Sequence, residues 1–473
     1  MPASIATLFY VALILGLLWL DRDHRTRASA ALWIPVVWLS LAGSRSVSEW
    51  LHATPPAASM ALYLEGDPIN RLVYSCLVAS GLAVLFFRGP KVFRLLQPNA
   101  VVVVFLLYCA LSLTWADYPD VGFKRWVKVV GDFVMVLIVV TDRDPSVAIR
   151  RLMARTGFLL IPLSVLMIKY YPSLARYYDV WDWSTHYSGV TTNKNALGAI
   201  CLLFGLASAW QFLAALSDRD QTRRRCRIIA HGVMLAMVFW LFRFTNSMTA
   251  LSCFLLGLAV LLGLQFRAIV QKPFMVHALV GSLIAVPGAV LFIGLGPGLL
   301  KLMGRDPTLT DRTQIWDLLL ALTTNTWFGT WFGTGFENFW LGPRLDKIWS
   351  VYRWGPAQAH NGYLEIFLNL GWIGIALLAT ILLIGYRTVM TGLRRSPSTG
   401  TLMLAYFVVG IVYNFTEAAF FRISAPVWFA LLLVITKVPI VVDTAPAPDE
   451  LRHSFKSRSR VPTPRHRYQP IRS

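Results

Sequence analysis

The segment Ala359 to Glu365 places a histidine and a carboxylate where a polar loop meets an apolar stretch. Its sequence is Ala-His-Asn-Gly-Tyr-Leu-Glu, with His360 next to Asn361, and the apolar run Ile366 to Tyr386 follows. An imidazole exchanges a proton near neutral pH, and at a water–hydrocarbon boundary a lipid-borne substrate can reach it. His360 is therefore a candidate general base. An ordinary interfacial histidine bonded to a backbone carbonyl is the alternative.

Basic side chains at the ends of other apolar runs could bind the anionic part of such a substrate, because guanidinium forks match pairs of phosphate oxygens. Arg312 precedes Trp316 and the apolar residues Leu318 to Leu322, whose spacing predicts an amphipathic helix on the membrane surface. Surface ion pairs with neighbouring aspartates are the alternative for Arg125 and Arg312. The further binding candidates are Arg125, Lys194, Asn195, Arg243, Asn361 and Glu417.

Two glutamates lie within or beside apolar runs, where a charged group is costly and is functional by default. Glu365 is one helical turn after Asn361, so the two could brace the start of the helix that follows His360. Glu417 lies in a short turn that ends at Arg422. A hydrogen bond to a neighbouring helix is the alternative for both. His186 is the histidine that competes with His360 for a functional role.

The composition excludes a soluble globular protein. The 473 residues are 56% hydrophobic and 14% charged, with a mean hydropathy of +0.57. We predict an all-α, polytopic membrane helix bundle of about 12 or 13 transmembrane helices with one large polar loop. The apolar runs lie near 5–20, 31–42, 70–87, 100–113, 126–140, 157–169, 196–216, 228–242, 250–266, 276–294, 363–386, 401–415 and 423–442.

The net charge of +20 is distributed as basic clusters in alternate loops. This alternation is the positive-inside pattern of membrane proteins, so it favours a topogenic role over nucleic-acid binding. It predicts that His360 and the large loop face the extracytoplasmic side. We divide the chain into an N-terminal bundle (1–296), the large loop (297–362), C-terminal helices (363–442) and a disordered basic cytoplasmic tail (443–473) that contacts the bilayer surface.

No cofactor or metal is predicted. Four of the five cysteines fall within apolar runs and the fifth lies in a basic cluster, so they suit neither disulfides nor metal binding. The sequence has no Cys/His cluster, no Walker loop and no dinucleotide fingerprint.

In the segment around His360, the chain resembles the O-antigen ligase and Wzy-type polysaccharide polymerase family of bacterial inner membranes. The ligase motif is His, then Asn, Ser or Gln, nine residues, Gly, two residues, and Gly, Thr or Tyr. Here His360-Asn361, the nine residues 362–370 and Gly371-Trp372-Ile373-Gly374 match it throughout. The segments Asp311 to Trp316, Gly189 to Gly198 and Trp115 to Arg125 also resemble segments of this family.

The resemblance implies a C-type glycosyltransferase that transfers an undecaprenyl-diphosphate-linked glycan to an acceptor hydroxyl on the periplasmic side of the inner membrane. His360 would be the base and Arg312 would hold the diphosphate, while Arg125 and Lys194 assist and Glu365 or Glu417 orients. The partners implied are the donor, a glycan or lipid A-core acceptor, the lipid bilayer and a chain-length regulator, without nucleic acid.

One departure concerns the second diphosphate arginine, which ligases commonly supply in a Ser-Arg pair. This chain has Ser247-Met248-Thr249 there, and Arg243 or Lys194 are the substitutes we expect. The departure favours a polymerase over a lipid A ligase, whereas the full ligase motif favours the ligase. The main alternative function of another class is a flippase that moves the same lipid-linked sugar. A membrane O-acyltransferase is a weaker alternative.

Overall fold

The computed structural model describes residues 1–23, 28–51, 66–178, 184–218, 220–266, 269, 272–292, 312–352, 355–422 and 425–438. Residues 1–437 form one compact unit. The basic tail (443–473) and the loop residues 297–311 lie outside the described residues. The predicted domain boundaries at 296/297 and 442/443 therefore lie outside them as well.

The described residues are almost entirely helical. Two three-residue strands, β1 (Arg176–Tyr178) and β2 (Thr185–Tyr187), form an antiparallel hairpin, and 3-10 turns cover Ala30–Leu32, Gln97–Asn99 and Leu113–Trp115. The helices are α1 (Ala3–Leu20), α2 (Trp33–Ala42), α3 (Val47–Trp50), α4 (Pro68–Arg88), α5 (Pro90–Leu96), α6 (Ala100–Ser112), α7 (Pro119–Val140), α8 (Pro145–Tyr170), α9 (Pro172–Ala175), α10 (Lys194–Leu216), α11 (Gln221–Thr245), α12 (Met248–Gly263), α13 (Pro273–Phe292), α14 (Arg312–Thr324), α15 (Trp327–Phe332), α16 (Gly342–Val351), α17 (Gly362–Arg395), α18 (Pro397–Tyr413) and α19 (Pro426–Ile435).

The prediction of an all-α, multi-pass membrane protein is confirmed. Eight helical stretches are long and apolar enough to cross a membrane, and shorter apolar helices accompany them among the described residues. Each of the thirteen predicted apolar runs overlaps a described helix. Many helices begin where the sequence favours an N-terminus, with proline in the first turn or a capping Asp or Asn before it.

The most buried helices form the centre of the bundle. In the apolar windows of α8 and α10, 78% of the residues are buried, against 11% in α1, α4 and α13. All ten residues of α19 are buried, and α18 is buried along most of its length. The central helices therefore pack on protein, whereas the exposed apolar faces of α1, α4 and α13 suit contact with lipid.

Successive helices alternate in direction, so their connections collect at two ends. At the first end, Asn70 donates to Ser48 (2.8 Å) and the Arg45 N–H donates to the Val190 carbonyl (3.0 Å). This end also carries His360, and we call it the site end.

The opposite end carries the basic clusters, and we call it the basic end. Here Asp23 pairs with Arg150 and Arg223, and Arg88 lies 3.7 Å from Asp142. The predicted alternation of basic and mixed-charge loops is therefore present among the described residues.

The described part of the large loop has a small apolar core of its own. Ile315 and Leu319 of α14 pack with residues of α16 and with the buried Phe339 and Trp340. Leu368 of α17 belongs to the same cluster, so the loop is seated on the helix that follows it. Burial of these side chains helps to position the loop on α17.

Candidate active site

His360 lies two residues before Gly362, the first residue of α17, and its position is fixed by the backbone around it. The Asn361 side chain caps the helix by accepting hydrogen bonds from the Tyr363 and Leu364 N–H groups, both at 3.0 Å. Trp316 donates to the carbonyl of Ala359 at 2.9 Å, and His360 itself has a φ of +50°. A non-glycine residue at positive φ is uncommon, and such strain persists where surrounding contacts hold it.

Close packing with α18 fixes the start of α17 as well. The Gly362 N–H donates to the carbonyl of Asn414 at 2.8 Å, and a Cβ at Gly362 would lie 2.1 Å from the Asn414 Oδ1. That Oδ1 accepts from the N–H groups of Ala419 and Phe420, which shapes the turn after α18. One buried asparagine therefore positions both the His360 segment and the turn that carries Glu417.

The imidazole of His360 faces a carboxylate. Its Nδ1 lies 3.4 Å from Glu417 Oε2, and the other oxygen, Oε1, accepts from Asn195 Nδ2 at 3.1 Å. The Gln358 amide nitrogen is also 3.4 Å from the same Nδ1. The carboxylate contact is the stronger of the two because it is charge-assisted, so it favours a proton on Nδ1. The Nε2 lone pair is then available to accept a proton.

Glu365 holds the residues around His360 in place through its hydrogen bonds. It is 5% exposed, and it accepts from Trp340 Nε1 (2.6 Å), the Ala359 N–H (3.0 Å) and Arg422 Nη2 (2.6 Å). These three donors satisfy a buried carboxylate that would otherwise be costly. Glu365 thus joins the backbone next to His360 to the guanidinium of Arg422.

Two arginines meet at Glu337, beside the histidine. Arg125 Nη1 lies 3.4 Å from Glu337 Oε2 and donates to the Glu337 carbonyl at 2.9 Å. Arg422 Nε lies 3.7 Å from Glu337 Oε1, and its Nη1 donates to Gln358 at 2.9 Å. The side chains of Arg125, Arg422 and Glu337 are each about one-fifth exposed. This cleft is therefore accessible from outside the protein.

Sequence reasoning did not select Arg422 or Glu337. A signal for Arg422 was present, since the residue ends the short turn that begins at Glu417. Glu337 lies among glycines and aromatic residues that carried no such signal. Asp117, the expected alternative partner of Arg125, pairs with Arg344, and Arg125 pairs with Glu337.

The remaining candidates differ in how near they lie to this network. Asn195 belongs to it, whereas Lys194 Nζ is 3.2 Å from Nε2 of His186, in the β-hairpin. Arg243 is exposed in the last turn of α11. Arg312 is the first residue of α14, one turn before Trp316, as predicted, but its side chain lies outside the described residues.

The glycine of the motif marks a break in α17. Gly371 has φ +62° and ψ −161° within the helix, and a Cβ there would lie 2.3 Å from the Trp331 backbone. The opposed residue Gly333 is equally close to the backbone of Asn369. The two chains approach closely because both positions lack side chains, and the break lets the loop dock between the halves of α17.

A family model described as O-antigen ligase matches residues 221–379. This segment, about a third of the chain, is similar to the O-antigen ligase family. It contains Arg312, His360 and Glu365, whereas Arg125, Asn195, Glu417 and Arg422 lie outside the matched residues. The resemblance on which the sequence analysis relied is therefore confirmed, and the O-antigen ligase motif lies at the site described above.

The chain is also similar to the exopolysaccharide production protein ExoQ of Rhizobium meliloti (strain 1021). The two are 23% identical over 298 residues, which cover 60% of this chain and 64% of that protein. The match thus spans slightly less than two thirds of the relative. The two matches relate this chain to O-antigen ligases and to an exopolysaccharide production protein.

Proposed function

We propose that the protein is a membrane glycosyltransferase that transfers or polymerises an undecaprenyl-diphosphate-linked oligosaccharide onto an acceptor hydroxyl in surface polysaccharide biosynthesis. The observation that carries the proposal is the position of His360, which lies with a carboxylate on one side and two arginines nearby, at the end of a membrane bundle. The periplasmic face of the bacterial inner membrane is the location that the basic end favours, because basic loops stay in the cytoplasm.

The chemistry follows from the different roles of the two nitrogen atoms of the imidazole. Nε2 of His360 accepts the proton of the acceptor hydroxyl while Glu417, at Nδ1, stabilises the imidazolium that forms. The acceptor oxygen bonds to the anomeric carbon, and the bond from that carbon to the diphosphate oxygen breaks, with inversion. The electron pair leaves with undecaprenyl diphosphate.

Arg125 and Arg422 are positioned to stabilise the leaving diphosphate. Fixed guanidinium groups facing a developing negative charge lower the barrier, because they need no reorganisation during the reaction. Arg312 and Lys194 are further candidates for this role, and we propose that neither a metal nor another cofactor is required.

An apolar groove suits the isoprenoid tail of the donor. It encloses about 920 Å³ between α4, α5, α6 and α7, and its lining includes Phe86, Phe93, Leu107 and Trp126. Phe86 and Phe93 are 81% and 76% exposed, so the groove faces the surrounding lipid. Trp126 follows Arg125 in the sequence, which brings the groove close to the arginine cleft.

Two acceptors remain as alternatives. The name of the Rhizobium relative favours an exopolysaccharide chain, and hence a polymerase, whereas the description of the matched family favours ligation to lipid A-core. The departure at Ser247-Met248-Thr249 tilts the choice towards the polymerase. A chain-length regulator is the partner expected of a polymerase.

The test uses the purified full-length protein in nanodiscs with a radiolabelled lipid-linked oligosaccharide. We expect wild type to make longer saccharides and release undecaprenyl diphosphate, and His360→Ala to make none while remaining folded in the membrane. Translocation of the label without transfer would instead identify a flippase. Full activity of His360→Ala would refute the assignment of the base.

A further inference from the structure

The charges around the candidate base are poorly suited to receive a diphosphate as they stand. The network joins two guanidinium groups, Arg125 and Arg422, to three carboxylates, Glu337, Glu365 and Glu417. Within this set, a neutral His360 leaves a formal charge of −1. An incoming diphosphate carries at least two negative charges, and like charges brought together at a partly buried site repel. Displacement of one carboxylate would let the diphosphate contact both guanidinium groups.

Glu365 and Glu417 are buried too deeply to be that group. Glu365 is 5% exposed and accepts three hydrogen bonds of 2.6 to 3.0 Å. Glu417 is 6% exposed and bridges the imidazole of His360 to Asn195. Removing either carboxylate from its partners would leave buried donors unpaired, which is costly.

Glu337 is more exposed than Glu365 and Glu417, and its contacts are longer than those of Glu365. Its side chain is 20% exposed, and its carboxylate lies 3.4 Å from Arg125 and 3.7 Å from Arg422. Charge-assisted hydrogen bonds are usually about 2.7 to 2.9 Å long, so these contacts are loose. The backbone is anchored separately, because the next residue, Asn338, is fully buried and its N–H donates to Asn369 Oδ1 at 3.1 Å. The side chain can therefore rotate away while the backbone stays.

We propose that Glu337 is a displaceable counterion of the diphosphate-binding cleft. Without donor, its carboxylate lies between Arg125 and Arg422 and offsets the repulsion between the two guanidinium groups. When the donor binds, the diphosphate oxygens take its place on the arginines and Glu337 turns to solvent. After transfer, the returning carboxylate competes with undecaprenyl diphosphate and promotes its release. This inference rests on the proposed function, to which it adds a step that sets donor affinity and product release.

The test measures diphosphate binding apart from glycosyl transfer. The probe is farnesyl diphosphate, titrated into the full-length protein in nanodiscs. We expect Glu337→Gln to bind the probe about tenfold more tightly than wild type, because one competing negative charge is gone. Glu337→Asp keeps the charge on a shorter side chain, so its affinity for the probe should lie between those of wild type and Glu337→Gln. It replaces Glu337→Gln in the test if that variant folds poorly. Asp346→Asn removes an exposed charge from the same loop and should bind like wild type.

The kinetic counterpart is product inhibition in the transfer assay. Undecaprenyl diphosphate should inhibit Glu337→Gln at a lower concentration than wild type, and KM for the donor should fall. Equal or weaker probe binding by both Glu337 variants would overturn the counterion role even if transfer that depends on His360 is observed. If Glu337→Gln binds the probe more tightly than Glu337→Asp, and Glu337→Asp more tightly than wild type, but neither wild type nor any variant transfers sugar, the counterion role of Glu337 stands. The proposed glycosyltransferase activity is then refuted.

Discussion

Replacing Glu417 with glutamine tests whether the carboxylate beside His360 assists proton transfer. The substitution keeps the shape of the side chain and an oxygen for the hydrogen bond from Asn195, but it removes the negative charge 3.4 Å from Nδ1. Two unit charges at that distance attract by about 1 kcal/mol in bulk water and about 5 kcal/mol at an effective dielectric constant of about 20. The His360 and Glu417 side chains are 17% and 8% exposed, which places the pair between these limits.

A loss of about 2.7 kcal/mol is therefore expected, and it corresponds to a fall of about a hundredfold in rate. The loss should appear in kcat, because the imidazolium forms only as the acceptor proton is transferred. KM for the donor should change little, since the arginine cleft is untouched. The assay is single-turnover transfer from the radiolabelled lipid-linked donor with saturating acceptor.

Asp346→Asn is the matched control, because it removes one negative charge from an exposed site of the large loop. Thermal unfolding of both variants in detergent shows whether the fold is intact. A Glu417→Gln enzyme with the kcat of wild type, alongside an inactive His360→Ala, would refute the role of Glu417. A change confined to KM would assign the residue to substrate binding.

Three further outcomes follow from the site. Gly362→Ala should lower the stability by about 1 to 3 kcal/mol because its Cβ would meet Asn414, whereas Gly281→Ala, with open space around it, should leave the melting temperature unchanged. Arg422→Gln should reduce transfer at least about tenfold and Arg394→Gln less than about twofold, since Arg422 binds Glu365 and Arg394 is exposed in the last turn of α17; equal losses in donor titrations would contradict the arginine cleft. Treatment with EDTA should leave the rate unchanged, and a rate restored by added Mg²⁺ would exclude the metal-free scheme.

The helices were predictable because each apolar run is a local property of the sequence. Hydropathy located the runs, and the positions of proline and of capping residues agree with where many helices begin. The start of α14 at Arg312 followed from the spacing of apolar residues after it. Hydropathy could not reveal the break at Gly371, since the run is apolar on both sides and the positive φ is imposed by the loop that docks there.

The contacts of the site were less predictable because they join residues far apart in the chain. Asn195 and Glu417 are separated by 222 positions, and Arg125 and Glu337 by 212. No local pattern encodes which arginine meets which glutamate. The aromatic residues of the loop illustrate the same limit. Trp327 is 71% exposed, whereas Trp340 is 3% exposed and donates to Glu365, and nothing in the sequence distinguishes the two.

The short turn from Glu417 to Arg422 supplies both the carboxylate beside the imidazole and one of the two cleft arginines, although Glu417 follows His360 by 57 positions. A nascent chain that has already inserted His360 still lacks these two groups. The proposed site is therefore complete only after the segment that follows α18 has been made and has folded back onto the start of α17.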